Sequence, residues 1–435
     1  MRKLNINAGG FAHSATDNSL AFGIFLLPTL SLALPSGYSY GIIIILLSAI
    51  AIRVFDSEKY QSGFALSTPV SLIILSLVLY AVFWIGDAAL RGEGVSDFDR
   101  PIRFLIAALC LSVIARTRID SAWLWMGLGL GSINAGSVAL WQWTVNGASR
   151  ASGFAPTNKF GLIAITMALM CLSGLIWSTS TSCSGKKRFF ISGLLVIGSF
   201  FGFTAAMLSG SRGAWIALIP ATIVYSLVLT RILQAKYILR LTSMLGLFVI
   251  LLVYILPTSN IVNRLEDAGS QLEAYVNGDF VGGSVGFRLE MWKGAGLLFI
   301  ERPYIGWGEL GYYSKMHELE TNGAIQEHTA RFTHAHNDWF NVLAKKGLAG
   351  GLILLAVYFT PLVFFIQTTL RAGRAKVVNT HMLALSVSGI VLVCSFMSVG
   401  IAQVTFNRNI GIMFYAFMIA VLVGLLARDR LPQEN

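Results

Sequence analysis

Residues 348–366 read LAGGLILLAVYFTPLVFFI, nineteen positions without a charged side chain. A helix of that length, rising about 1.5 Å per residue, crosses a hydrocarbon core of roughly 30 Å. The stretch just before it is of another kind. From 257 to 341 the chain is too polar to span and too long for a simple connector, yet it holds Trp292, Tyr304, Trp307, Tyr312, Tyr313 and Trp339. Connectors of such length carry function or disorder, and this many aromatic rings argue for order or for lying against a membrane interface.

The rest of the chain repeats the apolar half of that pattern. Over 435 residues it is 55% hydrophobic and only 12% charged, which leaves too little polar surface for a soluble protein of this size. Spans are expected at 19–34, 38–54, 69–86, 102–115, 122–143, 160–177, 190–208, 213–230, 238–256, 348–366, 382–400 and 410–427. The fold class is therefore an all-α polytopic membrane protein of twelve spans, with a long, partly helical loop before the tenth. The fourth span is short for a crossing helix. No cleavable signal peptide fits residues 1–17, which lack an apolar centre, so the first span is expected to be retained.

Basic residues set the orientation, because loops on the cytoplasmic side carry an excess of Lys and Arg. Starting inside with Arg2 and Lys3, alternate loops hold Arg53 and Lys59, Arg116 and Arg118, then Lys186, Lys187 and Arg188. Arg231, Lys236 and Arg240 follow, then Arg371, Arg374 and Lys376, and finally Arg428 and Arg430. Omitting the short fourth span would put every later cluster on the wrong side. Both termini are thus expected inside, with 87–101, 144–159, 209–212, 257–341 and 401–409 outside. The corresponding regions are an N-terminal membrane part (1–256), the outer loop (257–341) and a C-terminal membrane part (342–435). The net charge of +11 is spread through these short clusters and forms no basic face, which argues against nucleic acid. Cys110, Cys171 and Cys394 fall in apolar runs and Cys183 beside basic residues, so no disulfide framework arises.

Histidine is scarce, and three of the six, His328, His334 and His336, crowd the end of the outer loop. In Thr333-His334-Ala335-His336-Asn337-Asp338-Trp339 a group titrating near neutrality can move a proton. A solvated loop with incidental histidines is the plain alternative. A metal site is another, since His-x-His with a nearby Asp can supply ligands from an extended segment. Arg212, in Ser-Arg-Gly, and Arg288, four residues before Trp292, are outer arginines whose forks match phosphate oxygens. Snorkelling to headgroups or simple solvation are their ordinary readings. The stretch 288–299 reads as an amphipathic helix presenting Leu289, Trp292, Leu297 and Phe299. The run 303–308, Pro-Tyr-Ile-Gly-Trp-Gly, reads as an irregular turn. Beside the similar run 153–159, Arg150 and Lys159 add positive charge that suits an anionic headgroup or is incidental.

In this order the segments resemble the O-antigen ligase and polymerase superfamily of lipid-linked glycan transferases. His336-Asn337, nine residues, Gly347, two residues and Gly350 reproduce the ligase spacing. Gly153-Phe154 with Asn158, Ser211-Arg212-Gly213, Arg288 with Trp292 and the 303–308 turn fall in the family's order, and the resemblance covers most of the chain. It implies a GT-C-like architecture in the bacterial inner membrane, with the active site on the periplasmic face. It also implies transfer of finished O-antigen from undecaprenyl pyrophosphate to lipid A-core, without metal or cofactor and with inversion. His336 is then the base, Arg212 and Arg288 the pyrophosphate clamps, and Asn337 orients the loop or its histidine. His334, Arg150 and Lys159 stand as lesser substrate contacts. The partners implied are the lipid-linked donor, the lipid A-core acceptor and membrane lipids. The rivals are an O-antigen polymerase, a protein O-oligosaccharyltransferase and a lipid-linked glycan transporter. Among outer arginines only Arg150, with Gly161, has the polymerases' spacing, and residue 435 follows soon after the last span where the protein-modifying enzymes carry extra sequence.

Overall fold

The computed structural model describes residues 8–55, 66–117, 119–179, 185–231, 266, 269–277, 280, 282–375 and 377–428. Among the described residues there is no strand. The helices are α1 (Ala8–Leu30), α2 (Gly37–Phe55), α3 (Thr68–Leu90), α4 (Ser96–Ile114), α5 (Ala122–Thr144), α6 (Thr157–Trp177) and α7 (Gly185–Leu208). They continue with α8 (Arg212–Trp215), α9 (Leu218–Arg231), α10 (Gly286–Glu301), α11 (Gly308–Thr321), α12 (Asp338–Arg374), α13 (Thr380–Gly400) and α14 (Asn409–Arg428).

Eight stretches of the described residues are long and apolar enough to cross a membrane: α2, α3, α6, α7, α8 with α9, α12, α13 and α14. The chain is a multi-pass membrane protein. Of the twelve expected spans, those at α1, α4 and α5 form helices packed against this set without themselves being among the eight stretches of the described residues that are long and apolar enough to cross. The span expected at 238–256, with Cys183, Lys59, Arg118, Lys236, Arg240, Lys376 and Arg430, lies outside the described residues. α6 and α14 are buried nearly throughout, while α2, α3 and α9 keep outward ridges such as Leu47, Val82 and Ile219. Exposed apolar ridges around a buried centre suit helices bathed in lipid.

The segments that charge assigned to one side meet at one end of the bundle. Arg91 donates to the carbonyls of Ile305 (2.8 Å) and Gly306 (3.2 Å), and the Glu309 amide donates to Glu93 (2.7 Å). The Ala151 amide donates to the Leu208 carbonyl (2.8 Å), and Thr405 donates through its amide to Asp338 (2.9 Å). At the other end Lys187 pairs with Asp120 at 2.7 Å, and Ser121 bonds His381 at 2.9 Å.

Residues 286–344 form a lobe with its own core, in which Ala295, Leu298, Tyr312, Met316, Ile325 and Ala344 are closed over by Trp292, Trp307 and Phe340. α10 confirms a helix at 288–299, but the apolar residues singled out in the sequence are not the ones it buries. Glu290, Met291, Gly294, Ala295 and Leu298 are buried, whereas Leu297 is exposed. The lobe buries α10 through its small residues: a Cβ at Gly294 would lie 2.8 Å from Met316 Sδ, so close packing outweighed hydrophobic periodicity.

α12 starts ten residues before the expected span and breaks at Gly347 (φ 63°, ψ −162°), a conformation essentially confined to glycine. The break leaves helix-end groups without partners, and the 303–308 turn supplies them. Leu348 donates to the Pro303 carbonyl (2.7 Å), Ala349 to Tyr304 (3.1 Å), and the Trp307 amide to Ala344 (3.0 Å). The backbones are so close that a Cβ at Gly347 would sit 2.3 Å from the Tyr304 carbonyl carbon, and one at Gly306 2.4 Å from that of Lys345. Charges lock the joint: Lys346 pairs with Asp87 and Lys345 with Glu309, both at 2.5 Å, with both ammonium groups buried. Gly347→Ala is expected to cost at least about 1–3 kcal/mol in backbone strain alone. It should lower the melting temperature in detergent and open 303–308 to proteolysis; an unchanged melt and cleavage pattern would refute this account of the kink.

Candidate active site

The His-Asn pair has a simple local geometry. Asn337 is the N-cap of α12, its side-chain oxygen accepting from the amides of Trp339 (2.9 Å) and Phe340 (3.2 Å). Its buried oxygen is occupied in holding the helix start. His336, just before it, has φ +49°, and this left-handed step turns the ring away from the helix axis. The rings of His334 and His336 meet edge to face at 4.2 Å, and Phe332 packs edge-on against His336 at 5.7 Å. His328 stands apart, two-thirds exposed beside Glu327.

Arg288 comes from the first turn of α10, and Trp292 one turn on stacks on Phe340 at 5.7 Å, so the helix carrying Arg288 is clamped to the start of α12, which His336 precedes. Arg212 opens α8 and donates to Ser284 Oγ (3.0 Å), just ahead of α10. Its charge reaches Arg288: burial first, and then the Arg212 guanidinium, lower the Arg288 pKa, though an arginine stays protonated at neutral pH. Arg288 in turn acts on His336. Burial, then His334, Arg288 and Lys159, hold the His336 pKa down to about 3, so the imidazole is neutral. Burial likewise lowers the pKa of His334.

Arg150 and Lys159 sit just beneath. Arg150 Nε donates to the Ser209 carbonyl (3.0 Å) and its terminal nitrogen to Asn158 Oδ1 (3.4 Å), which also accepts from Ser211 Oγ (3.3 Å). That network braces the turn carrying Arg212. Lys159 is buried and donates to the Val404 carbonyl, while Asp338 accepts from the Thr405 hydroxyl and amide and, at 3.4 Å, from Tyr358. Asp338 thus faces the 401–409 connector and not the histidines. Among the described residues no group of three or more His, Cys, Asp or Glu side chains gathers as a metal site.

The structure therefore brings Arg212, Arg288, His334 and His336 to one seam between lobe and bundle, with Arg150, Lys159 and Asn337 supporting it. Sequence reasoning passed over Lys345, Lys346, Asp87, Glu93 and Glu309, and weighed Asp338 only as a metal ligand. The available signal was two lysines and a glycine directly preceding an apolar run.

The stretch that holds the clamp, the lobe and the kink is also the stretch that matches a known family. Residues 197–355 match the O-antigen ligase family. The matched region runs from within α7 through Arg212, Arg288 and His336 to just beyond Gly350. Over 406 residues the chain is also 26% identical to an uncharacterized protein of Haemophilus influenzae, covering 92% of this chain and 97% of that one. The ligase match ends inside α12, whereas the Haemophilus likeness extends over nearly the whole bundle.

Proposed function

We propose that this protein is an O-antigen ligase of the bacterial inner membrane, moving O-antigen from undecaprenyl pyrophosphate to a hydroxyl of lipid A-core. In this reading both termini are cytoplasmic, residues 257–341 are the periplasmic loop between two membrane regions, and the seam faces the periplasm. The supporting observation is that three distant stretches are linked electrostatically through Arg288, which feels the Arg212 guanidinium on one side and acts on the neutral His336 on the other.

The acceptor hydroxyl attacks the anomeric carbon as its proton passes to His336. The bond from that carbon to the phosphate oxygen breaks with its electron pair on the oxygen, and the new charge on undecaprenyl pyrophosphate is met by Arg288 and Arg212. One displacement inverts the carbon and requires no metal. Arg150 and Lys159 act as supports for the Arg212 turn and the α12 start. Asn337 fixes the helix end that His336 precedes.

The low His336 pKa makes a specific claim about pH. A neutral base is available in the free protein but is a weak one. Pyrophosphate bound at Arg288 offsets one of the charges that hold His336 down, so its basicity rises when donor is present. Since kcat/KM reports the free protein and kcat the complex, kcat/KM should stay level from neutral pH down to about pH 5, with the acid limb of kcat at higher pH. Coincident limbs near the ordinary histidine value would contradict the assignment.

The cellular test is deletion in a strain that makes O-antigen. Ligase loss leaves lipid A-core bare while full-length lipid-linked O-antigen accumulates. Retained lipopolysaccharide with single repeat units would instead identify a polymerase.

A further inference from the structure

A cavity of about 700 Å³ opens on the other side of the histidine pair from the arginine clamp. His334 lines it, whereas Arg212, Arg288 and His336 do not. Its walls come from α3, the start of α4, the 153–159 segment, the start of α12 and the 401–409 connector. The volume lies in the roughly 300–1,000 Å³ range of small-molecule sites.

Its chemistry separates the candidate occupants. The lining holds four carboxylates and four Lys or Arg side chains, so no surplus positive charge favours a second pyrophosphate. Lys345 and Lys346 are already held by Glu309 and Asp87, and Arg100 by Asp97 at 3.2 Å. With that much charge the walls also exclude a hydrocarbon tail. Three buried polar atoms of the lining residues lack a hydrogen-bond partner: Asn407 Oδ1, His334 Nδ1 and Glu93 Oε2, which has the Lys346 ammonium at 3.9 Å, beyond hydrogen-bond reach. Glu93 is itself only 7% exposed. Buried polar groups are normally satisfied, and two of these three atoms can only accept, so what completes them must donate. Hydroxyls donate; a phosphate diester does not. Phe154, 55% exposed, and Trp84 add aromatic surface at the same place.

We propose that this cavity is the acceptor subsite and takes the outer sugars of the acceptor oligosaccharide, Glu93 and Asn407 accepting from its hydroxyls and Phe154 covering a sugar face. This rests on the transferase reading above, and gives the seam two sides: pyrophosphate at Arg288 and Arg212, acceptor sugar past His334, His336 between them.

The test uses full-length protein in nanodiscs and core oligosaccharide from O-antigen-free lipopolysaccharide with the lipid removed. Phe154→Ala truncates an exposed side chain, and Asn407→Leu removes an acceptor at similar size; matching melting curves check the fold. Saturation-transfer NMR should show sugar protons contacting the wild type, and each variant should weaken binding, and raise acceptor KM, by about tenfold, with donor KM unchanged. Failure of the wild type to bind the oligosaccharide, or variants that bind it equally well, overturns the subsite, as does a rise in donor KM instead. A wild type that binds the oligosaccharide through Phe154 yet forms no joined product would leave the subsite standing and remove the ligase reading.

Discussion

His336→Ala is expected to lower single-turnover glycan transfer by about 10²–10⁴-fold, the contribution a positioned general base makes. Donor binding should change little, because pyrophosphate recognition is assigned to Arg212 and Arg288. The fold should tolerate the change: His336 is half-buried, its ring touches His334 and Phe332, and the adjoining helix start is held by Asn337. Quenched-flow transfer in proteoliposomes, with melting curves alongside, measures both. Transfer within a few-fold of wild type in a folded variant would remove the base assignment. His334→Ala, by contrast, deletes a neighbour that helps hold the His336 pKa low, so its effect should appear in the acid limb of kcat/KM.

The second large effect is expected at Arg288. Arg288→Gln should cost about 10²–10³-fold in transfer, the scale for deleting one donor that meets charge as it develops. Arg288→Lys should recover only part, because lysine restores a point charge without the fork. The glutamine variant carries a further signature: one of the cations that holds His336 down is gone, so the acid limb of kcat/KM moves to higher pH. Full transfer in the lysine variant would argue against a bidentate clamp.

Much of the architecture was legible because membranes make local pattern informative. Apolar runs mark spans, and the basic clusters sorted the connectors well enough that 87–101, 144–159, 209–212, the lobe and 401–409 all gather at one end. Arg212, Arg288 and His336 stand out in the sequence because each is a chemically pointed residue on that side, and the structure sets them at one seam. The joints were not. Lys346 finds Asp87 across 259 positions, a pairing no window of sequence displays. The kink at Gly347 looked like the start of a span, since glycine spacing alone does not tell a break from a boundary; only the carbonyls of Pro303 and Tyr304 arriving there explain it. The face that α10 buries was not legible, because it packs through Gly294 and Ala295 and not through the larger apolar residues that mark the helix in sequence.

The most direct test of the seam as a transferase site is reconstitution of the purified protein in liposomes with undecaprenyl-pyrophosphate-linked O-antigen and lipid A-core, in the presence of a chelator. The account predicts lipid A-core carrying the glycan through a linkage of inverted anomeric configuration, read by NMR of the product. A linkage of retained configuration, transfer that stops until a divalent ion is restored, or a lengthened lipid-linked glycan with lipid A-core untouched would contradict it.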